Sequence, residues 1–176
     1  MEFKELAYKR HSVRKYSDKP VALEDVKDIL ETAALSPSAC NSQPWKFVVV
    51  REEKASELAG YVTSKVLPIN RWAKDVSTFI VICETKAKLM KKLPVSSQHY
   101  AQIDIGIVTS TLCYAAEDKG ISSCIMGAFD EKKVKKLLGI PKNIKTRLII
   151  ALGYSAEEKI RDKSRKNYDE IVSIVQ

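Results

Sequence analysis

The chain has 176 residues, a length typical of one domain, and 45% of them are hydrophobic at a mean hydropathy of -0.20. This composition excludes a disordered, collagen-like or low-complexity chain. The net charge of +8 comes from lysines that are scattered or locally paired with acids, as in Asp130-Glu131-Lys132-Lys133. Such pairing is typical of solvated helix faces rather than of a nucleic-acid stripe, and the charge favours a small anionic ligand.

In the first half of the chain, helical and strand patterns alternate. Apolar residues at helical spacing predict a short helix near Phe3–Ala7, a second over Leu23–Ala34 and a third over Glu52–Val66. Runs of β-branched residues predict strands at Lys46–Arg51 and Thr78–Cys83.

The second half continues this alternation. A helix over Ser97–Lys119 is apolar on most of its surface, so we expect it to be buried nearly all round. Strands are predicted at Ile121–Met126 and Arg147–Tyr154, with a helix between Asp130 as N-cap and Gly139 at its end. We therefore expect one α+β domain over residues 1–176.

Two further features narrow the class of protein. The longest apolar runs are far shorter than the ~20 residues that cross a bilayer, and the acidic start does not match a secretory signal, so we expect a cytoplasmic protein that does not bind membranes. Four widely spaced cysteines and two histidines suggest no metal site. We expect free thiols, with Cys83 and Cys113 in the core.

Two basic motifs lie near opposite ends of the chain. In Arg10-His11-Ser12-Val13-Arg14, alternation along an extended backbone places Arg10, Ser12 and Arg14 on one side. Two guanidiniums around a hydroxyl suit a phosphate group. Lys163-Ser164-Arg165 repeats the pattern. The alternatives are a plain basic surface loop for the first motif and a solvated tail for the second.

An irregular stretch, Ser36–Trp45, separates a predicted helix from a predicted strand. Its small residues let a flat ligand approach the backbone, and the amides of Asn41 and Gln43 match the edge of a heterocycle. The alternative is a polar turn anchored by a core tryptophan. Combined with the anion motifs, the stretch favours a phosphorylated, flat, heteroaromatic ligand.

In order and spacing, these segments resemble the nitroreductase family of FMN-dependent oxidoreductases. The resemblance rests on Arg-x-Ser-x-Arg at 10–14, Pro-Ser-x-x-Asn-x-Gln-Pro-Trp at 37–45, Asn-Arg-Trp at 70–72, Gly-Ala-Phe-Asp at 127–130 and Lys-Ser-Arg at 163–165. It implies a central, mostly antiparallel sheet flanked by helices, in a homodimer with an exchanged C-terminal segment. The apolar end of the chain, Ile171–Val175, agrees with such docking on a partner.

The resemblance also implies a set of FMN-binding residues. Arg10 and Arg165 would take the phosphate with Lys163 near it, and His11, Ser12 and Arg14 would line the ribityl chain and the pyrimidine edge. Asn70 would reach the ring, and the backbone of Met126, Gly127 and Ala128 would face the flavin N5 region. The partner subunit would supply a loop made of Pro37, Ser38, Ala39 and Asn41.

The reaction implied by the resemblance is hydride transfer from NAD(P)H through flavin N5 to a nitroaromatic, quinone or related acceptor, in a ping-pong sequence. We expect no side chain to act as a catalytic residue, because the cofactor carries the chemistry. Two rival interpretations are a flavin-binding or flavin-delivering protein with little turnover and a basic nucleic-acid-binding domain. For the latter no groove-reading or stacking motif is present, so we expect no nucleic-acid partner.

Overall fold

A computed structural model describes residues 2–63, 69–87, 97–157 and 160–176. Its sheet has four antiparallel strands in the order β1-β2-β4-β3, with bounds β1 Trp45–Arg51, β2 Thr78–Glu84, β3 Ser122–Met126 and β4 Lys145–Gly153. The helices are α1 Phe3–Lys9, α2 Leu23–Ala34, α3 Glu52–Val62, α4 Ser97–Asp118, α5 Glu131–Leu138 and α6 Tyr168–Ile171. The predicted α+β class with an antiparallel sheet is confirmed.

The predicted elements match the observed ones closely. Each predicted strand differs from its observed bounds by two residues or fewer at either end. The third helix ends at Val62, where the extended backbone of Thr63 follows; its predicted extension to Val66 lies outside the described residues. Asp130 caps α5 by accepting the Lys133 N–H at 3.1 Å, and Gly139 ends α5 with a φ of 63°, as expected.

Apolar layers cover both faces of the sheet. On one face Phe79 and Ile149 pack with buried residues of α3 and α5, and on the other Ile80 and Ile150 pack with residues of α2 and α4. The strand β2 is buried along its whole length, which agrees with the unbroken apolar run at its centre, residues 79–83. Cys83 and Cys113 are buried free thiols in these layers, as predicted.

One expectation about α4 is wrong for the single chain. Ile103 is 50% exposed and Ile107 is 36% exposed, although the sequence predicted burial nearly all round. The helix packs on α1, on α2 and on the sheet, and these elements leave part of its surface uncovered. The uncovered part presents Ile103, Gly106 and Ile107, which we call the open face of α4.

The segment after α1 extends the sheet at its β3 edge. Ser12 pairs in parallel with Ser123 of β3, and the Val13 N–H donates to the Ser123 carbonyl at 3.2 Å. Tyr16 then pairs with Ser155. Among the residues that the structure describes, no helix combines the length and the apolar character needed to traverse a membrane.

Candidate functional site

The two basic motifs predicted from the sequence meet in one cavity of ≈ 270 Å³, which we call the basic cavity. One wall is the segment 10–14 and the other is the segment 161–165. The lining residues are Arg10, His11, Ser12, Arg14, Arg161, Asp162, Lys163, Ser164 and Arg165. Five of the nine are arginine or lysine, so the cavity suits a multiply charged anion.

The first wall takes its shape from its pairing with β3. Val13 is completely buried in the core, while Arg14 on the next position is exposed. This alternation is the one that the sequence predicted for an extended segment. It holds the backbone of Ser12 beside β3 and leaves the side chains of Arg10 and Arg14 at the cavity.

Lys163 ties the second wall to the end of α1. Its Nζ donates to the carbonyl oxygens of Ala7 and Arg10, each at 2.5 Å, where the last turn of the helix leaves carbonyls without helical partners. Burial lowers the pKa of Lys163, and the nearby positive charges of Arg10 and Arg165 lower it further. Arg10, Lys163 and Arg165 all line the basic cavity, so cations lie close together here.

Glu157 contacts residues of both walls of the basic cavity. Its Oε1 accepts the backbone N–H of Arg14 at 3.1 Å and Nη2 of Arg161 at 2.8 Å, and its Oε2 lies 3.6 Å from Nε2 of His11. Burial opposes ionisation of Glu157, but the hydrogen bond from Arg14 and the charge of Arg161 outweigh it and lower its pKa. The carboxylate is therefore a structural anion within a cationic site.

Asn70 and the end of β3, which the sequence predicted as separate parts of the site, lie together. The Asn70 Nδ2 donates to the Val62 carbonyl at 3.0 Å and to the Ala128 carbonyl at 3.4 Å. Met126 is buried, whereas Gly127 and Ala128 are exposed. A Cβ placed on Gly127 would meet only Leu148 Cδ2, at 3.9 Å, so the backbone there is open to a ligand.

A second cavity, of ≈ 210 Å³, lies beside the basic cavity. Arg10 lines both cavities, and the second is also lined by Ile125 of β3 and Leu148 of β4. Leu148 is also the residue that a Cβ on Gly127 would meet, so the second cavity and the open backbone at the end of β3 share this neighbour.

The predicted loop of Pro37, Ser38, Ala39 and Asn41 is held against α4. The Ala39 N–H donates to the two carboxylate oxygens of Asp104 at 3.2 and 3.3 Å. Cys40, Asn41 and Gln43 adopt left-handed backbone conformations with φ of 54°, 48° and 46°. Such conformations are costly outside glycine and asparagine, so the loop keeps its shape through its anchors.

Comparison with known proteins identifies this arrangement. The model of the Nitroreductase family matches residues 7–154. The chain belongs to the nitroreductase family. It is 33% identical, over an alignment 204 positions long, to "Putative NAD(P)H nitroreductase Spy0809" of Streptococcus pyogenes serotype M6, with 98% of each sequence covered. This result confirms the family expected from the sequence motifs and, with it, the oxidoreductase class.

Solved structures of the nitroreductase family share its fold. A family protein from Streptococcus pneumoniae TIGR4 superimposes with a TM-score of 0.85 at 29% identity, covering 99% of this chain and 100% of that one. An FMN-dependent nitroreductase from Clostridium difficile R20291 superimposes with a TM-score of 0.79 at 26% identity, covering 97% and 98%.

Three residues that contact the candidate site or its predicted loop were not predicted from the sequence: Asp104, Glu157 and Arg161. Asp104 carried a usable signal, because it is an acid inside an otherwise apolar helix and is only 3% exposed. Glu157 and Arg161 carried no such signal in the sequence, because they belong to a charged stretch that is typical of solvated surface.

Proposed function

We propose that this protein is an FMN-dependent oxidoreductase that uses NAD(P)H to reduce nitroaromatics, quinones or related small acceptors. The observation that carries the proposal is the basic cavity in which the two basic motifs meet, together with the open backbone at Gly127 and Ala128. The cavity suits the phosphate of FMN, and the open backbone suits its flat ring. FMN, when bound, would supply the hydride chemistry.

The residues present fit FMN. Arg10 and Arg165 would bind the phosphate with Arg161 beside them, through charge-assisted hydrogen bonds, and Arg14 would lie toward the pyrimidine edge. Lys163 lies in the same wall, but two of its three N–H donors go to backbone carbonyls, so its main contribution is to hold the wall. Ser12 and His11 line the path from the phosphate toward the ring.

The other end of the site would hold the ring against the backbone. Asn70 fixes the Ala128 carbonyl by hydrogen bonding, which sets the peptide orientation where the flavin N5 edge would lie. Gly127 leaves room for the ring to approach the backbone closely, because a Cβ placed there would meet only Leu148 Cδ2, at 3.9 Å. Backbone donors near N5 and cations near the pyrimidine edge would favour negative charge on the ring. No side chain has to act as a nucleophile or as a general base.

We further propose that two chains complete each site in a homodimer. The anchors that fix the loop at residues 37–41 lie on α4, whose open face carries Ile103 and Ile107, so covering that face with a second chain would bring the partner's loop to the site. Ile171, Ile174 and Val175 at the apolar end are 65%, 73% and 94% exposed, which supports exchange of the C-terminal segment. The exposed Gly127 and Ala128 favour a broad range of acceptors, and the expected compartment is the cytoplasm.

The visible absorption spectrum of the purified protein, followed anaerobically after addition of NADPH or NADH, tests the proposal. A flavin spectrum that bleaches, and returns when a nitroaromatic or quinone is added, is the expected result. Bound flavin that stays oxidised with both nucleotides would instead indicate a flavin-binding or flavin-delivering protein. Failure to take up FMN at all would refute the cofactor assignment.

Arg10→Ala tests the phosphate contact. A charge-assisted hydrogen bond contributes about 1.5–3 kcal/mol, so FMN affinity should fall by about ten- to 150-fold. Riboflavin, which lacks the phosphate, should lose much less. Equal affinity for FMN in the variant and the wild type would mean that the phosphate binds elsewhere.

A further inference from the structure

We propose that Glu157 is a positioning residue for the basic cavity, holding the segments 10–14 and 161–165 so that their cations converge on a single phosphate group. The inference rests on the proposed function, since it takes FMN as the ligand. It assigns a favourable role in anion binding to a side chain that is itself an anion.

The contacts of Glu157 support this role. One carboxylate oxygen, Oε1, accepts hydrogen bonds from the Arg14 backbone and from the Arg161 side chain, so it bridges the two walls through a single atom. The other oxygen lies 3.6 Å from His11 Nε2, a buried atom with no hydrogen-bond partner among the described residues. The Glu157 side chain is only 11% exposed, so these groups leave it little contact with water.

The charge balance of the cavity explains why such a residue is needed. Five cations line the cavity beside one carboxylate, Asp162, and without a ligand the cations repel one another: Arg10, Arg14, Arg161, Lys163 and Arg165. Burial lowers the pKa of Lys163, and the positive charges of Arg10 and Arg165 lower it further. Glu157 is a fixed counter-charge placed behind the walls, and the Lys163 ammonium supplies a second tie to the carbonyls of Ala7 and Arg10.

The two possible roles of Glu157 predict opposite signs. If Glu157 only adds negative charge near the phosphate, its neutralisation should tighten FMN binding, because it removes a repulsion. If it positions the walls, its neutralisation should weaken FMN binding despite the gain in charge, because Arg14 and Arg161 lose their common partner. The sign of the change therefore separates positioning from simple electrostatics.

The experiment compares FMN and riboflavin binding to wild type, Glu157→Gln and Glu157→Asp by titration of flavin fluorescence, with the unfolding midpoint measured for each apoprotein. The glutamine variant keeps the size of the side chain and removes the charge, while the aspartate variant keeps the charge and shortens the reach. We expect both to weaken FMN on the order of tenfold. Riboflavin affinity should change by less than about twofold.

A matched control is Glu31→Gln, which makes the same charge change at an exposed position of α2. It should leave the affinity for FMN unchanged. Equal or tighter FMN binding by Glu157→Gln would overturn the inference, and so would an equal loss of FMN and riboflavin, which would indicate a general structural role. If the glutamine variant does not fold, the aspartate variant provides the test by itself, and wild-type affinity for FMN in that variant would overturn the inference. A wild type that binds no FMN would overturn the proposed function as well, a result distinct from any of these.

Discussion

In the proposed dimer, Asp104 should control the affinity for the proposed cofactor through the loop at residues 37–41. Its carboxylate accepts the Ala39 N–H from 3.2 and 3.3 Å, and a hydrogen bond to a charged acceptor contributes about 1.5–3 kcal/mol. The left-handed conformations of Cys40 and Gln43 each cost about 1–2 kcal/mol. Opening the loop would relieve this strain, so the closed loop depends on its hydrogen bonds. Asp104→Ala should therefore shift the loop toward open conformations.

The loss of 1.5–3 kcal/mol corresponds to FMN binding weaker by about ten- to 150-fold. Asp104→Asn keeps an acceptor oxygen but not the charge, and a neutral hydrogen bond contributes about 0.5–1.5 kcal/mol, so its effect should be roughly half as large in free energy. Flavin fluorescence titration measures the affinity for FMN. The rate of hydrogen exchange at the Ala39 amide measures how often the loop opens. Asp18→Ala, at an exposed aspartate, is the matched control.

Two results would refute this reasoning at different steps. Unchanged exchange at the Ala39 amide in Asp104→Ala would mean that the hydrogen bond does not hold the loop. Faster exchange with wild-type FMN affinity would mean that the loop opens but takes no part in the cofactor site, and the proposed contribution of this loop across the dimer would then fail.

Three further predictions concern stability and assembly. Gly153→Ala should lower the free energy of unfolding by about 1–3 kcal/mol in urea denaturation, because the new Cβ would lie 2.7 Å from Cδ1 of the buried Tyr16; an unchanged midpoint would contradict this packing. Ile103→Asp on the open face of α4 should convert the proposed dimer to a monomer in light scattering, and a variant that stays dimeric would place the interface elsewhere. The pKa of Glu157 is lowered in the folded protein, so its stabilisation should be complete above its ordinary value of 4.5 and decrease as the pH falls toward the folded value. The stability difference between wild type and Glu157→Gln should therefore shrink below pH 4.5, and a difference independent of pH would contradict it.

The elements of the fold were predictable where local periodicity is strong. The strand β2 and the helix α2 carry unambiguous patterns, and their bounds agree with the prediction. Three short elements were not predicted, because they are too short for a periodic signal: the 3-10 turns Ala39–Asn41 and Arg71–Asp75 and the four-residue α6. That residues 1–176 form a single domain stays a prediction.

The site was predictable as a set of motifs but not as a geometry. Arg10 and Arg165 each carry a recognisable local pattern, yet their convergence depends on the pairing of Ser12 with β3 and on the contacts of Lys163, which are long-range. The roles of Asp104 and Glu157 depend on hydrogen bonds to distant backbone amides, Ala39 and Arg14. The open face of α4 was missed because an apolar surface does not reveal whether its own chain covers it.

The tie between Lys163 and the carbonyl of Arg10 spans 153 residues of sequence. Closing so long a loop is slow compared with forming a local hairpin or helix, and a chain under synthesis cannot close it before residue 163 has been made. The sheet, whose last strand ends at Gly153, can assemble earlier. We therefore expect the proposed cofactor site to form after the core, because its basic cavity is complete only when the two distant segments of the chain meet.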